Sequence, residues 1–303
     1  MIRSNNAIKL LVVFVLMLCT SCAGSRISDT TTKKKIVFIP GKDSHHVGEH
    51  EHLGGCRLMA DLLNRNVAGV NAIVTEQGWP KDTTVLDDAD AIVMYSDGGA
   101  GHMVIPHMDH INRLADKGVG IVNLHYAVEI PKGPGGDNFL KWIGGYFETY
   151  WSINPFWTAE FDSLPAHPIT NGVKPFAARD EWYYHMRFVE DENLVPILRK
   201  LPPDSSLSRP DGPHENNEHV RKAVLEDKEP QTVAWAYTRG NGGRGFGFTG
   251  AHVHMNWRND DYRKLLLNAI VWTARLDVPL TGIVTKTPSE EELIALQKKK
   301  APF

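Results

Sequence analysis

The 303-residue chain is 42% hydrophobic and 23% charged, with a formal net charge of −3, a balance that fits a globular protein with a sizeable core and not a disordered one. No dense basic stripe occurs, which argues against nucleic-acid binding. Of its three cysteines only Cys56 lies beyond the N-terminal segment, so no internal disulfide is available to brace the fold.

Taken in chain order, Arg3 and Lys9 flank the apolar stretch Leu10 to Leu18. That stretch is too short to cross a bilayer and is ordered as an export signal over residues 1–21. The small residues before Cys22 resemble a bacterial lipobox, although Cys19 departs from it by standing where leucine is usual. Cys22 is therefore expected to be lipidated and to anchor the chain to a membrane of the bacterial cell envelope, with residues 22–33 as a polar tether. A globular domain is expected over 34–276 and a charged tail over 277–303.

Within the domain, Ile36 to Ile39 is an apolar run of the kind that forms a strand buried on both faces. Leu53, Cys56, Met59 and Leu63 recur at helical spacing. Val70 to Val74 and Ala91 to Tyr95 read as strands, Met108 to Ala115 as a helix, and Gly120 to Leu124 as the most buried strand. This alternation predicts a parallel sheet with helical crossovers. Beyond Gly135 the aromatics of Trp142 to Trp157 mark an added extension, with strands expected at Trp157–Phe161 and Glu181–Phe188. The polar stretch 202–230 is expected to be a functional lid or a poorly ordered loop. Strands at Thr232–Tyr237 and Gly245–Thr249 lead to a final helix from Asp260 to about Arg275. Residues 290–300 are expected to form a solvated helix or tail.

Histidines recur at one place in this pattern. His45, His46, His50 and His52 follow the first strand, His125 closes the strand Gly120–Leu124, and His252 and His254 follow Gly245–Thr249. If these strands are parallel neighbours, their carboxyl ends open onto a common crevice, where such sheets bind ligands.

Several separated segments carry a family resemblance: Gly41-Lys42-Asp43-Ser44-His45-His46-Val47-Gly48-Glu49-His50-Glu51, Asp97-Gly98-Gly99-Ala100-Gly101-His102, Gly120-Ile121-Val122-Asn123-Leu124-His125-Tyr126-Ala127, Asp180-Glu181-Trp182-Tyr183-Tyr184 and Gly247-Phe248-Thr249-Gly250-Ala251-His252-Val253-His254. Together, over roughly residues 34–276, they resemble the trehalose-utilisation (ThuA-like) family. The resemblance implies an α/β fold, a flavodoxin-like three-layer α/β/α sandwich with a mostly parallel sheet, as in class I glutamine amidotransferases. It also implies a role in bacterial sugar metabolism linked to 3-keto-glycosides.

In the amidotransferase-like fold the turn after the Gly120–Leu124 strand is a tight elbow that bears a nucleophilic cysteine. Here it bears His125, so thioester-based glutamine hydrolysis is not expected. His125 is read as an acid/base or a metal ligand, against a packed, hydrogen-bonded side chain. His252 and His254 would share a face if the strand continued; the alternative puts one in the crevice and the other against the last helix or Trp257. His46 and His50 have ligand spacing, weakened by Gly48 between them. Asp97, Gly98, Gly99 and His102 are candidates for substrate binding through a glycine-rich turn. Glu181 is expected to orient His125 or His252 or to complete a metal site, while Tyr126, Trp182 and Tyr184 could pack on sugar faces or simply be core.

These residues give catalytic candidates His125, His252 and Glu181, and His46, His50, His125 and His252 as ligands for a divalent cation, zinc foremost. No nucleotide cofactor is expected. The expected function is processing of a small-molecule carbohydrate, a 3-keto-glycoside, by histidine acid/base or metal-assisted chemistry; the alternative is a non-catalytic sugar-binding lipoprotein.

Overall fold

Apolar runs without alternation bury both faces, and five short, mostly apolar strands build the centre of this protein. In the computed structural model, which describes residues 32–297, these are β1 (Lys34–Pro40), β2 (Val70–Val74), β3 (Ala91–Tyr95), β4 (Gly120–Leu124) and, late in the chain, β11 (Arg244–Phe248). They pair in parallel in the order β2-β1-β3-β4-β11, the flavodoxin-like order. Antiparallel β10 (Gln231–Thr238) and then β9 (Leu194–Lys200) complete a seven-stranded sheet.

Alternation along β1 separates the two cores. Ile36 and Phe38 pack with Cys56, Met59 and Leu63 of α1 (His52–Asn66) and with Leu265, Leu266 and Ile270 of α5 (Asp260–Thr273). Val37 and Ile39 point the other way, to Ile111 and Leu114 of α2 (Met108–Asp116) and Phe139 and Trp142 of α3 (Pro134–Ile143). Helices thus cover both faces, which makes the three-layer α/β/α sandwich expected from the sequence. Among the described residues no helix is long and apolar enough to cross a membrane. The export signal, nearly all of the tether and Cys22 lie outside the described residues.

Several elements differ from the sequence reading. Beyond the change of pattern at Gly135 the chain forms α3, which the sequence reading did not name: proline suits its first turn and Gly144, at φ 78°, closes it in the left-handed conformation. The extension holds two small antiparallel pairs: β5 (Gly145–Tyr146) with β8 (Arg187–Phe188), and β6 (Phe156–Phe161) with β7 (Phe176–Glu181). The strand expected at Glu181–Phe188 is therefore displaced. Trp182 and Tyr184 turn into one core and Tyr183 into the other, and His185, at φ 59°, bends the chain before β8.

Segment 202–230 is pinned by its side chains, not left loose. Asn216 donates to the carbonyls of Leu207 and Arg209, Asn217 to that of Trp151, and a single turn, α4 (Glu218–Arg221), starts on an Asn217 cap. The C-terminal α6 (Glu290–Leu296) is capped by Ser289 and Glu292, and its Leu293 is fully buried. The helix packs on α1 instead of standing in solvent.

Candidate functional site

The register aligns the carboxyl ends of the four central strands: Pro40 pairs with Tyr95, Tyr95 with Leu124 and Leu124 with Phe248. The turns that follow emerge side by side, carrying His50, Asp97, His125 and His252. Three of these turns hold a non-glycine residue at positive φ: His50 (46°), His125 (56°) and Ala251 (81°). Such backbone costs energy and persists where surrounding contacts over-determine it. Here Asp180, fully buried at the end of β7, accepts hydrogen bonds from the backbone N–H groups of Ala251 (2.8 Å), His252 (3.1 Å) and Val253 (3.2 Å). It also accepts from the Tyr262 hydroxyl (2.8 Å) and the Asn256 amide (3.0 Å). The Gly48–His50 turn is tied to the same segment, His50 N–H donating to His252 O and His254 N–H to Gly48 O.

Four donor atoms meet above this frame. His125 Nε2 lies 3.0 Å from His50 Nε2 and 3.2 Å from His252 Nδ1, while His50 Nε2 and His252 Nδ1 are 3.0 Å apart. Glu181 Oε2 is 3.0 Å from His252 Nδ1 and 3.6 Å from His125 Nε2. A tetrahedral ion with bonds of about 2.0 Å needs ligand atoms about 3.3 Å apart, so the spacing suits one. The tautomers favour it too. His125 Nδ1 is 2.9 Å from Thr249 O and His50 Nδ1 is 2.8 Å from Asp97 Oδ1, so each ring donates its N–H outward and turns an Nε2 lone pair inward. Two lone pairs 3.0 Å apart repel unless a positive charge lies close to both, as a bound cation or a protonated His252 would supply. Burial, reinforced by the facing His50 and His252, holds His125 well below the usual imidazole range, and hence neutral. Burial also pulls His252 down, but the hydrogen bond and charge of Glu181 outweigh it and leave His252 raised.

A recess of about 180 Å³ opens on the cluster, lined by His45, His50, Tyr126, Asn154, Glu181, Tyr183, Arg209 and His214 among others. Tyr183 places its hydroxyl 3.2 Å from His125 Nε2 and 3.3 Å from Glu181 Oε2. A larger, more apolar groove of about 640 Å³ lies beyond Phe156. The smaller recess is the one that reaches the imidazoles, so the chemistry belongs there.

His50, His125, His252 and Glu181, all anticipated from the sequence, are thus brought together, with Asp97 behind His50 and Tyr126 on the recess wall. Other candidates lie elsewhere. His46 is exposed, its N–H directed at Glu49, and His45 takes the recess-facing place. His254 is buried against Leu293 O of α6, because the chain has left the extended conformation by Ala251 and the two histidines do not share a face. Trp182 is packed among Phe161, Phe248 and Tyr262, and Tyr184 bonds Ser206; both are core. Gly98 and Gly99 make room for protein, not ligand. A Cβ on Gly98 would sit 2.0 Å from Tyr126 O, and the Gly99 N–H donates to Glu129 O.

His102 lies beneath that turn, with Nε2–H donating to Ala127 O and Nδ1 accepting from Val104 N–H. Burial lowers its pKa from 6.5 to about 4. Between these values the unfolded chain binds the extra proton, so stability is lost as pH falls through that window. Between pH 7 and pH 5 the wild type should lose about 2 kcal/mol that His102→Gln does not. Urea unfolding at both pH values checks this, and equal losses in the two proteins would refute it.

Asp180, Tyr183, Arg209 and His214 were not singled out from the sequence. Asp180 and Tyr183 lie within the Asp180–Tyr184 motif. Arg209 and His214 come from an aperiodic segment that gives no signal of its own.

The family model for trehalose utilisation (ThuA) matches residues 41–273. The chain is similar to a ThuA-like protein of Bacteroides uniformis at 17% identity, covering 84% of this chain and 96% of that one with a TM-score of 0.55, which speaks to the fold. A ThuA-like protein of Parabacteroides merdae gives 14% identity, 85% and 94% coverage and a TM-score of 0.48. A glutamine amidotransferase of Thermotoga maritima gives 11%, 80%, 98% and 0.41. No curated protein matches the chain.

Proposed function

We infer a function from two facts: this chain belongs to the trehalose-utilisation (ThuA) family, and three imidazoles and a carboxylate turn their donor atoms onto one point beneath a polar recess. The proposal is a carbohydrate-processing enzyme in which His50, His125, His252 and Glu181 hold a divalent cation, zinc foremost, and a 3-keto-glycoside occupies the recess. The single observation that carries it is the convergence of His50 Nε2, His125 Nε2, His252 Nδ1 and Glu181 Oε2 on one point, the two Nε2 atoms 3.0 Å apart. When bound, such a cation supplies Lewis-acid polarisation of a carbonyl oxygen. The chain's own groups do the rest. Asp97 and Thr249 O fix the ring orientations of His50 and His125, and Asp180 fixes the backbone that carries His252. The Tyr183 hydroxyl is available to hydrogen-bond a substrate oxygen, and Asn154, Arg209 and Tyr126 offer partners for sugar hydroxyls. A recess below the roughly 300–1,000 Å³ of drug-sized sites suits one compact polar ring.

Glutamine hydrolysis through a thioester has no support here. His125 occupies the elbow, and Cys56 is buried in α1 with its thiol pushed further up by that burial. The N-terminal signal and Cys22 support export and a lipid anchor, which the intact mass of the membrane-extracted protein tests.

The functional test is to offer the purified protein a 3-keto-disaccharide with and without a chelator and to follow products by mass spectrometry. Turnover that the chelator abolishes is expected. Tight binding of unmodified sugar with no product from the keto-sugar would favour the sugar-binding alternative.

A further inference from the structure

With three imidazoles and Glu181 directed at one point, none of them is left to move a proton to or from a substrate. The remaining imidazole–carboxylate pair on the recess is His214 with Glu129. We propose that His214, backed by Glu129, is the proton carrier of this site; the assignment rests on the carbohydrate reading above.

The pair joins two distant parts of the chain. Glu129 follows the turn that begins at His125 and is 2% exposed, while His214 enters from segment 202–230. His214 Nε2 lies 2.9 and 3.1 Å from the two Glu129 oxygens, so its N–H is donated there and Nδ1 keeps the lone pair. The ring stacks on Phe147 at 5.4 Å, and its backbone carbonyl accepts from Asn154 N–H and from the Arg209 guanidinium. A base held by a buried carboxylate from behind, with its orientation fixed, is the arrangement that general base catalysis needs.

The charged groups facing His214 are Glu129, Glu215 and Arg209. The Glu129 hydrogen bond comes first and, against burial, leaves the imidazole raised above 6.5. In the forward step the C–H bond beside the ketone breaks, its proton bonds to Nδ1, and the electron pair moves onto the carbonyl oxygen as an enolate. As that pair returns, the bond from the neighbouring anomeric carbon to the departing oxygen breaks, and the alkoxide takes the proton back from the imidazolium. A keto-glycoside thereby becomes an unsaturated keto-sugar and an alcohol, with no oxidant or further reactant.

The test uses the purified full chain and a 3-keto-disaccharide, with pH–rate profiles for the wild type, His214→Gln, Glu129→Gln and His214→Ala with and without added imidazole. Cation content and melting temperature are followed in parallel. His214→Gln should lose about 100-fold or more in rate with its cation content unchanged. Imidazole should partly restore His214→Ala, and Glu129→Gln should shift the acidic limb of the profile to lower pH. Wild-type rate in His214→Gln overturns the proposal. So does loss in His214→Ala without rescue combined with an unshifted limb in Glu129→Gln, which marks His214 as a structural pin. A wild type inert toward the keto-sugar sinks the carbohydrate reading and this assignment with it, whereas an active wild type with an active His214→Gln sinks this assignment alone.

Discussion

Asp180→Ala is expected to lower the stability of the fold by about 3–5 kcal/mol, since each buried donor left without a partner costs roughly 1–3 kcal/mol. The carboxylate is fully buried and satisfies three consecutive backbone N–H groups at Ala251–Val253 as well as Tyr262 and Asn256. The same substitution releases Ala251 from its positive φ and so frees His252 from the cluster, which couples stability to the site. Asp180→Asn keeps one acceptor oxygen and should cost less. Urea denaturation gives the stability, and cation content of the surviving folded fraction gives the coupling. An Asp180→Ala protein within about 0.5 kcal/mol of wild type, the ordinary range for an inconsequential surface change, would mean that the cradle does not hold the turn.

His125→Ala is expected to weaken cation binding by more than about 100-fold, because changes in the groups behind metal ligands already cost about 10–100-fold. Its effect on the fold should be smaller than that of Asp180→Ala, since it strands one buried acceptor, Thr249 O, where Asp180→Ala strands several buried donors. Asp97→Ala should fall between wild type and His125→Ala. It leaves His50 in place but removes the carboxylate 2.8 Å from Nδ1 that fixes the tautomer. Competition titration against a chromophoric chelator measures all three. Equal affinities in wild type and His125→Ala would remove this histidine from the ligand set.

The sandwich was legible because its strands are unbroken apolar runs and the helices between them carry a clear apolar stripe. The level strand ends follow from parallel pairing, and with them the convergence of His50, His125 and His252. What the sequence concealed depends on backbone bends and distant partners. His254 would share a face with His252 only if the strand continued, and the bend at Ala251 leaves the other alternative, one histidine in the crevice and one against the C-terminal helix. The choice between His45 and His46 turns on the course of a loop around Gly48 that no spacing rule fixes. Trp182 and Tyr184 have the composition of a sugar platform and the burial of a core. The work of Asp180 is invisible until α5 and the 251–253 turn are seen to close over it. His214 reaches the recess because Asn217 and Arg209 tie an aperiodic segment to Trp151 and Asn154.

The most direct measurement of the central claim is the elemental content of the full chain, purified without added metal or chelator and compared with His125→Ala prepared in parallel. The account predicts close to one divalent transition-metal ion per wild-type chain, zinc foremost, and little in the variant. Wild-type protein that carries no such ion, and takes none up when titrated with zinc, would contradict it.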